Sequence, residues 1–177
     1  MKLRQLMLGV LFMIVATLSS SPLIAKEPSP VDVFTSYKSK ACLKTCVDSD
    51  LILISVYEAA RELGLDPNDL LAIMRVESSF KAKARNRDSV GVMQVNLKYH
   101  AKKFKTSPYD VPANTFVGAT VYKACLTKRN GNKAKALRCY NGENAKNMIY
   151  PNKVLKVLKE IKSLNIFPTT LNPVTQE

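Results

Sequence analysis

Apolar residues recur at helical spacing in several stretches of the chain. Residues 47–63, VDSDLILISVYEAAREL, run apolar every third or fourth position and stop at Gly64, which predicts a helix. A second predicted helix opens on DPNDLLAIMRVE. Asp66 suits its N-cap, Pro67 its first position and Asp69 its first turn. Residues 113–128 and 132–140 predict a helix pair around the turn Asn130-Gly131. In NKVLKVLKEIKSL, 152–164, one stripe carries Val154, Leu155, Leu158, Ile161 and Leu164, with lysines opposite. The stretch RNRDSVGVMQV breaks the helical period with Asn, Asp, Ser and Gly. It predicts a loop or a very short β hairpin near residues 86–95. Little of the chain alternates with period two, so the expected class is all-α.

One position conflicts with its pattern. In LLAIMRVESSF, residues 70–80, a helical projection from Leu70 puts Ile73, Met74 and Glu77 within about 60° of it. Glu77 lies near the middle of that apolar arc, while Ala72 and Arg75 project to the other side. An ionisable acid on a buried stripe needs a reason. The plain reading is a surface pair with Lys81 at i,i+4. The functional reading is a carboxyl held in an apolar setting for its chemistry.

The first residues have the layout of a secretory signal: basic MKLRQ, the 13-residue apolar run LMLGVLFMIVATL, then small and polar residues. The run is shorter than the roughly 20 apolar residues of a membrane span. A signal peptide is therefore expected over 1–25, with the cut near Ala25 and no stable membrane anchor afterwards. Residues 26–40, rich in Pro, Ser and Lys, read as a flexible lead-in. Residues 41–165 read as one domain and 166–177 as a flexible tail.

The chain carries a formal charge of +13, and residues 1–25 contribute only Lys2 and Arg4, so about +11 remains after them. An exported chain this basic is drawn to anionic polymers. Nucleic acid is a poor candidate, because no binding motif is present. Four cysteines, Cys42, Cys46, Cys125 and Cys139, follow the signal and suggest disulfides. Three pairings are possible. Cys125 and Cys139 flank the turn KRNGNK, so an antiparallel helix pair would join them, leaving Cys42 to pair locally with Cys46. Their spacings and a single histidine, His100, fit structural zinc poorly, so no metal is expected.

Three short stretches read together are more specific. They are Glu77-Ser78-Ser79-Phe80, then Ser89-Val90-Gly91-Val92-Met93-Gln94-Val95, then Ala136-Leu137-Arg138-Cys139-Tyr140-Asn141-Gly142, followed by Tyr150 before the last helix. In order and spacing they resemble the soluble lytic transglycosylase family, whose catalytic domain is similar to goose-type lysozyme. The resemblance spans about residues 50–162. Val92 replaces the usual leucine, and the 142–150 loop is shorter and poorer in glycine than the family pattern.

The resemblance implies a lysozyme-like, mainly helical fold and a cleft for the glycan strand of peptidoglycan. It makes Glu77 the catalytic acid and implies cleavage of the MurNAc-GlcNAc β-1,4 bond with a 1,6-anhydro product. Ser89, Gln94 and Asn141 become hydrogen-bond donors to the sugar. Tyr140 is expected close to the catalytic carboxyl, with Met93 and Tyr150 as apolar walls of the substrate site. No cofactor is required. The resemblance and the signal together imply a monomer in the periplasm or secreted, serving a secretion or conjugation system. Two alternatives stand: a hydrolytic muramidase with Asp88 as base, and a non-catalytic cationic wall-binding protein. Goose-type lysozymes tend to carry an acid where this chain has Asn96, which favours the single-carboxylate chemistry.

Overall fold

A computed structural model describes residues 28–42, 46–142 and 145–167. The expected signal peptide and the residues after 167 lie outside the described residues. In chain order the helices are α1 (Pro30–Ala41), α2 (Ser49–Leu63) and α3 (Pro67–Glu77), then α4 (Leu97–His100), α5 (Val111–Lys128), α6 (Lys133–Asn141) and α7 (Ile149–Ser163). Between α3 and α4 lie three two-residue strands: β1 (Arg85–Asn86), β2 (Ser89–Val90) and β3 (Val95–Asn96). The mainly helical, lysozyme-like class expected from the sequence is what the structure shows.

Helix α3 is the centre of the molecule. Its start follows from its sequence: Asp66 accepts a hydrogen bond from the Asn68 amide, and Pro67 stands at the first position. Every residue from Pro67 to Met74 is buried. Ala72, expected to face outward, is therefore inside, because α2 packs on one flank of α3 and α7 on another. Near its N-terminus Asp69 is buried, 2.8 Å from Lys133 Nζ and 3.3 Å from the Tyr122 hydroxyl that donates to it. Lys162 Nζ lies 2.8 Å from Asp66. These contacts tie α3 to α5, α6 and α7. Removing one partner would leave a charge or dipole stranded in a poorly solvated place.

The stretch 26–40 is not a flexible lead-in where it is described. Ser29 and Asp32 form a reciprocal capping box, with Pro30 at the first position, so α1 begins there. The Pro and Ser content marks a helix start rather than disorder. Phe34 is fully buried and meets Phe80 edge-on at 5.3 Å between ring centres. Burying a side chain of that size contributes about 2–3 kcal/mol. Two residues of the expected tail are packed. Ile166 is buried and Phe167 stacks on Tyr57 of α2. Helix α7 starts three residues earlier than the periodicity suggested, since Pro151 fits the first turn, where no amide bond is lost.

The expected hairpin is present and gains a third strand. Arg85 pairs with Val90 and Asn86 with Ser89; Ser89 then pairs with Asn96 and Val90 with Val95. The turn from β2 to β3 presses against α5 with no spare room. A side chain on Gly118 would place its Cβ 2.5 Å from Met93 Cβ. Both disulfides form as favoured, Cys42–Cys46 and Cys125–Cys139. The second staples α5 to α6.

Gly118→Ala is expected to destabilise the fold by about 1–3 kcal/mol in urea unfolding, as overpacking does. Stability equal to wild type would contradict the close approach.

Candidate active site

Glu77 ends α3 and opens the segment that turns toward the small sheet. Ser79 and Phe80 both have left-handed backbone conformations, φ 52° and 64°. Such residues are rare and persist only where their surroundings hold them. Here Phe80 is gripped by Phe34, and its carbonyl accepts from the Val47 amide. Ser78 Oγ donates to the Val92 carbonyl at 2.9 Å. The end of α3 is thereby stitched to the turn carrying Met93 and Gln94.

That turn is organised from beneath by Asn114 of α5. Asn114 is fully buried; its Oδ1 accepts from the Met93 amide, and its Nδ2 donates to the carbonyls of Val90 and Pro108. Gly91, at φ 78°, lies so close to this amide that a Cβ would stand 2.3 Å away. Two functional supports, Ser78 and Asn114, were missed by the sequence reading. Ser78 was quoted in its motif without a role. Asn114 gave one signal, a lone amide within the otherwise apolar run of α5.

The seven expected site residues divide. Glu77, Ser89, Gln94, Tyr140 and Asn141 line one cleft of ≈ 850 Å³, together with Asn86, Asn96, Tyr99 and His100. The Cys125–Cys139 disulfide lines its wall. Met93 does not line it: the side chain is fully buried, so it fills the core instead of flanking a sugar. Its carbonyl accepts from the Tyr140 hydroxyl at 2.7 Å. Gln94 is in the cleft, but its Nε2 is committed to the Ala84 and Gly91 carbonyls. Only its Oε1 is left for a ligand, as an acceptor rather than the expected donor. Tyr150 is more than an apolar wall. Its hydroxyl donates to Glu77 Oε1 at 2.6 Å. Tyr150 and Lys153 of α7, rather than Lys81, are the polar and charged neighbours of Glu77.

The electrostatics follow from this burial. Loss of hydration pushes the Glu77 carboxyl from its ordinary 4.5 up to about 7, while the Tyr150 hydrogen bond and the charge of Lys153 pull the other way. Burial and the adjacent Glu77 raise the hydroxyls of Tyr140 and Tyr150 as well, so both stay protonated and Tyr150 remains a donor. Among the described residues no group of three or more His, Cys, Asp or Glu is placed to hold a metal.

A family model, the transglycosylase SLT domain, matches residues 55–155. The chain belongs to this family. It is a peptidoglycan lytic transglycosylase, as the members of that family are. No solved structure gives a significant match to it. The matched stretch of the transglycosylase runs from α2 into α7 and holds Glu77, Gln94, Tyr140 and Tyr150. No described helix of the transglycosylase is long and apolar enough to cross a membrane.

The raised Glu77 value has a cost for the fold. The folded carboxyl binds its proton more tightly than the unfolded one, so the penalty begins above the unfolded value near 4.5 and is complete above about 7. Glu77→Gln should therefore stabilise the transglycosylase at pH 8 by about 2–3 kcal/mol, and much less at pH 4. Urea unfolding at the two pH values measures it; an equal effect at both would contradict a raised value.

Proposed function

We propose that this transglycosylase is exported and cleaves the MurNAc-GlcNAc bond without water, with Glu77 as its one catalytic carboxyl. The observation that carries the reading is that Glu77 is the single acid lining the cleft among the described residues. Asp88, the candidate second carboxyl, does not line that cleft but an adjoining hollow, which shares Asn86, Ser89 and Asn96 with it. Asn96, standing where a lysozyme base would be expected, spends its Oδ1 capping α4.

One group must then act twice. Protonated Glu77 donates to the bridging oxygen, and the glycosidic bond breaks. Glu77, now ionised, accepts the proton of the muramyl 6-hydroxyl while that oxygen bonds to C1. The product is a 1,6-anhydro ring, and the enzyme returns to its starting state. A group that gives and then takes a proton works best with a pKa near the ambient pH. Burial favours the acid form and the Tyr150 hydroxyl favours the carboxylate, and the balance near 7 suits both halves. Because Tyr150 holds Oε1, the mobile proton is assigned to Oε2.

Export rests on the signal-like residues 1–25 and on two bridged cysteine pairs, which suit an oxidising compartment.

A digest of peptidoglycan is expected to give muropeptides lighter by one water than lysozyme products, read by mass spectrometry. Fully hydrated ends would reject the non-hydrolytic reading. Glu77→Gln should lower turnover by about 10²–10⁴-fold, and Asp88→Asn should change it little. A large loss in Asp88→Asn would favour the hydrolytic muramidase.

A further inference from the structure

The chain carries 27 lysines and arginines. The main cleft is lined by none of them. A second hollow of ≈ 410 Å³ adjoins the first and shares Glu77, Asn86 and Asn141 with it. It is completed by Val76, Asn147, Ile149, Tyr150 and Lys153. Lys153 is thus the one lysine or arginine, among the described residues, that lines either of the two hollows containing Glu77. It is exposed and makes no hydrogen bond or ion pair there.

Its charge favours the ionised form of Glu77, in the same direction as the Tyr150 hydroxyl. A cation near a carboxyl that must hold a proton pulls that proton away, and Lys153 does so here. The other titratable groups facing Glu77 are the neutral hydroxyls of Tyr150 on α7 and Tyr140 on α6, and neither offsets the charge. An anion brought by the substrate would. The glycan strand itself is neutral apart from its muramyl residues. Each of these carries a lactyl group that ends in a carboxylate when bare, or in a peptide with carboxylates when substituted.

We propose that Lys153, with the hollow around it, is a carboxylate subsite that receives the acidic substituent of the muramyl residue. It rests on the reading that Glu77 cleaves beside that residue. The subsite gives the enzyme a way to tell muramyl strands from uncharged N-acetylglucosamine polymers. It also lets the correct substrate cancel the charge that disfavours protonated Glu77.

The test uses glycan strands in two forms, bearing intact stem peptides or stripped to the lactyl carboxylate. Each is compared with a sample whose carboxyls have been converted to amides. Binding is measured to Glu77→Gln protein, and turnover to protein with Glu77 intact. Each is carried out with Lys153 native, with Lys153→Met, and with Lys159→Met as a control for lost charge elsewhere on α7. With Lys153 native, amidation should weaken binding about three- to fivefold, the range of a partly exposed ion pair. Lys153→Met should abolish that sensitivity, and Lys159→Met should keep it. An effect in stripped strands assigns the subsite to the lactyl carboxylate; an effect only in peptide-bearing strands assigns it to the stem. Equal sensitivity in Lys153→Met and Lys159→Met overturns the proposal. Product mass is read separately, so hydrated products would reject the non-hydrolytic reading without touching the subsite.

Discussion

The structure turns on the placement of one carboxyl at the end of a buried helix. Helix α3 is enclosed along most of its length, and its last residue emerges where the core meets the cleft. Dehydration there is strong enough to hold a proton on Glu77 near neutrality, yet Tyr150 keeps the ionised form within reach. Neither influence alone would serve. An acid in a fully dry pocket would not let go, and one in water would have nothing to give.

Holding that carboxyl still requires the chain on both sides of it to be fixed. Below it, the Asp66 and Asp69 contacts with Lys162 and Lys133 anchor the start of α3. Beyond it, two successive left-handed residues turn the chain sharply, and Ser78 ties the turn to Val92. The facing turn is fastened in its own right by Asn114, Gly91 and Gly118. The Cys125–Cys139 bridge then sets Tyr140 against the Met93 carbonyl. Polar and apolar residues share the lining of the cleft, but its shape is set by buried amides, glycines and one covalent link.

Much of this was legible in the residues. Helices α2, α3, α5, α6 and α7 followed from apolar spacing, whereas the short α4 did not, and Glu77 stood out as an acid on an apolar arc. The local rules for chain ends were more easily misread. Ser29-Pro30 looked like loop composition, yet with Asp32 it is a helix start; Pro151 looked like a boundary, yet it fits a first turn. Met93 and Gln94 were misjudged for another reason. Motif position does not reveal whether a side chain points into the cleft or beneath it. That depends on the left-handed backbone at Gln94, φ 48°, and on the gap that Gly118 leaves for Met93. The Asn114 contacts join residues 21 and 24 positions apart, and nothing in local spacing announces them.

Helix α1 has a practical corollary. The stretch that defines the family begins at residue 55, yet Phe34 and Tyr37 shelter Phe80, three residues from Glu77. At the other end, Ile161 and Ile166 complete the interior beyond residue 155. A fragment excised at the family limits would bare both flanks of α3. The packed interior extends past the stretch that homology marks out, and expression or domain grafting has to respect the larger boundary.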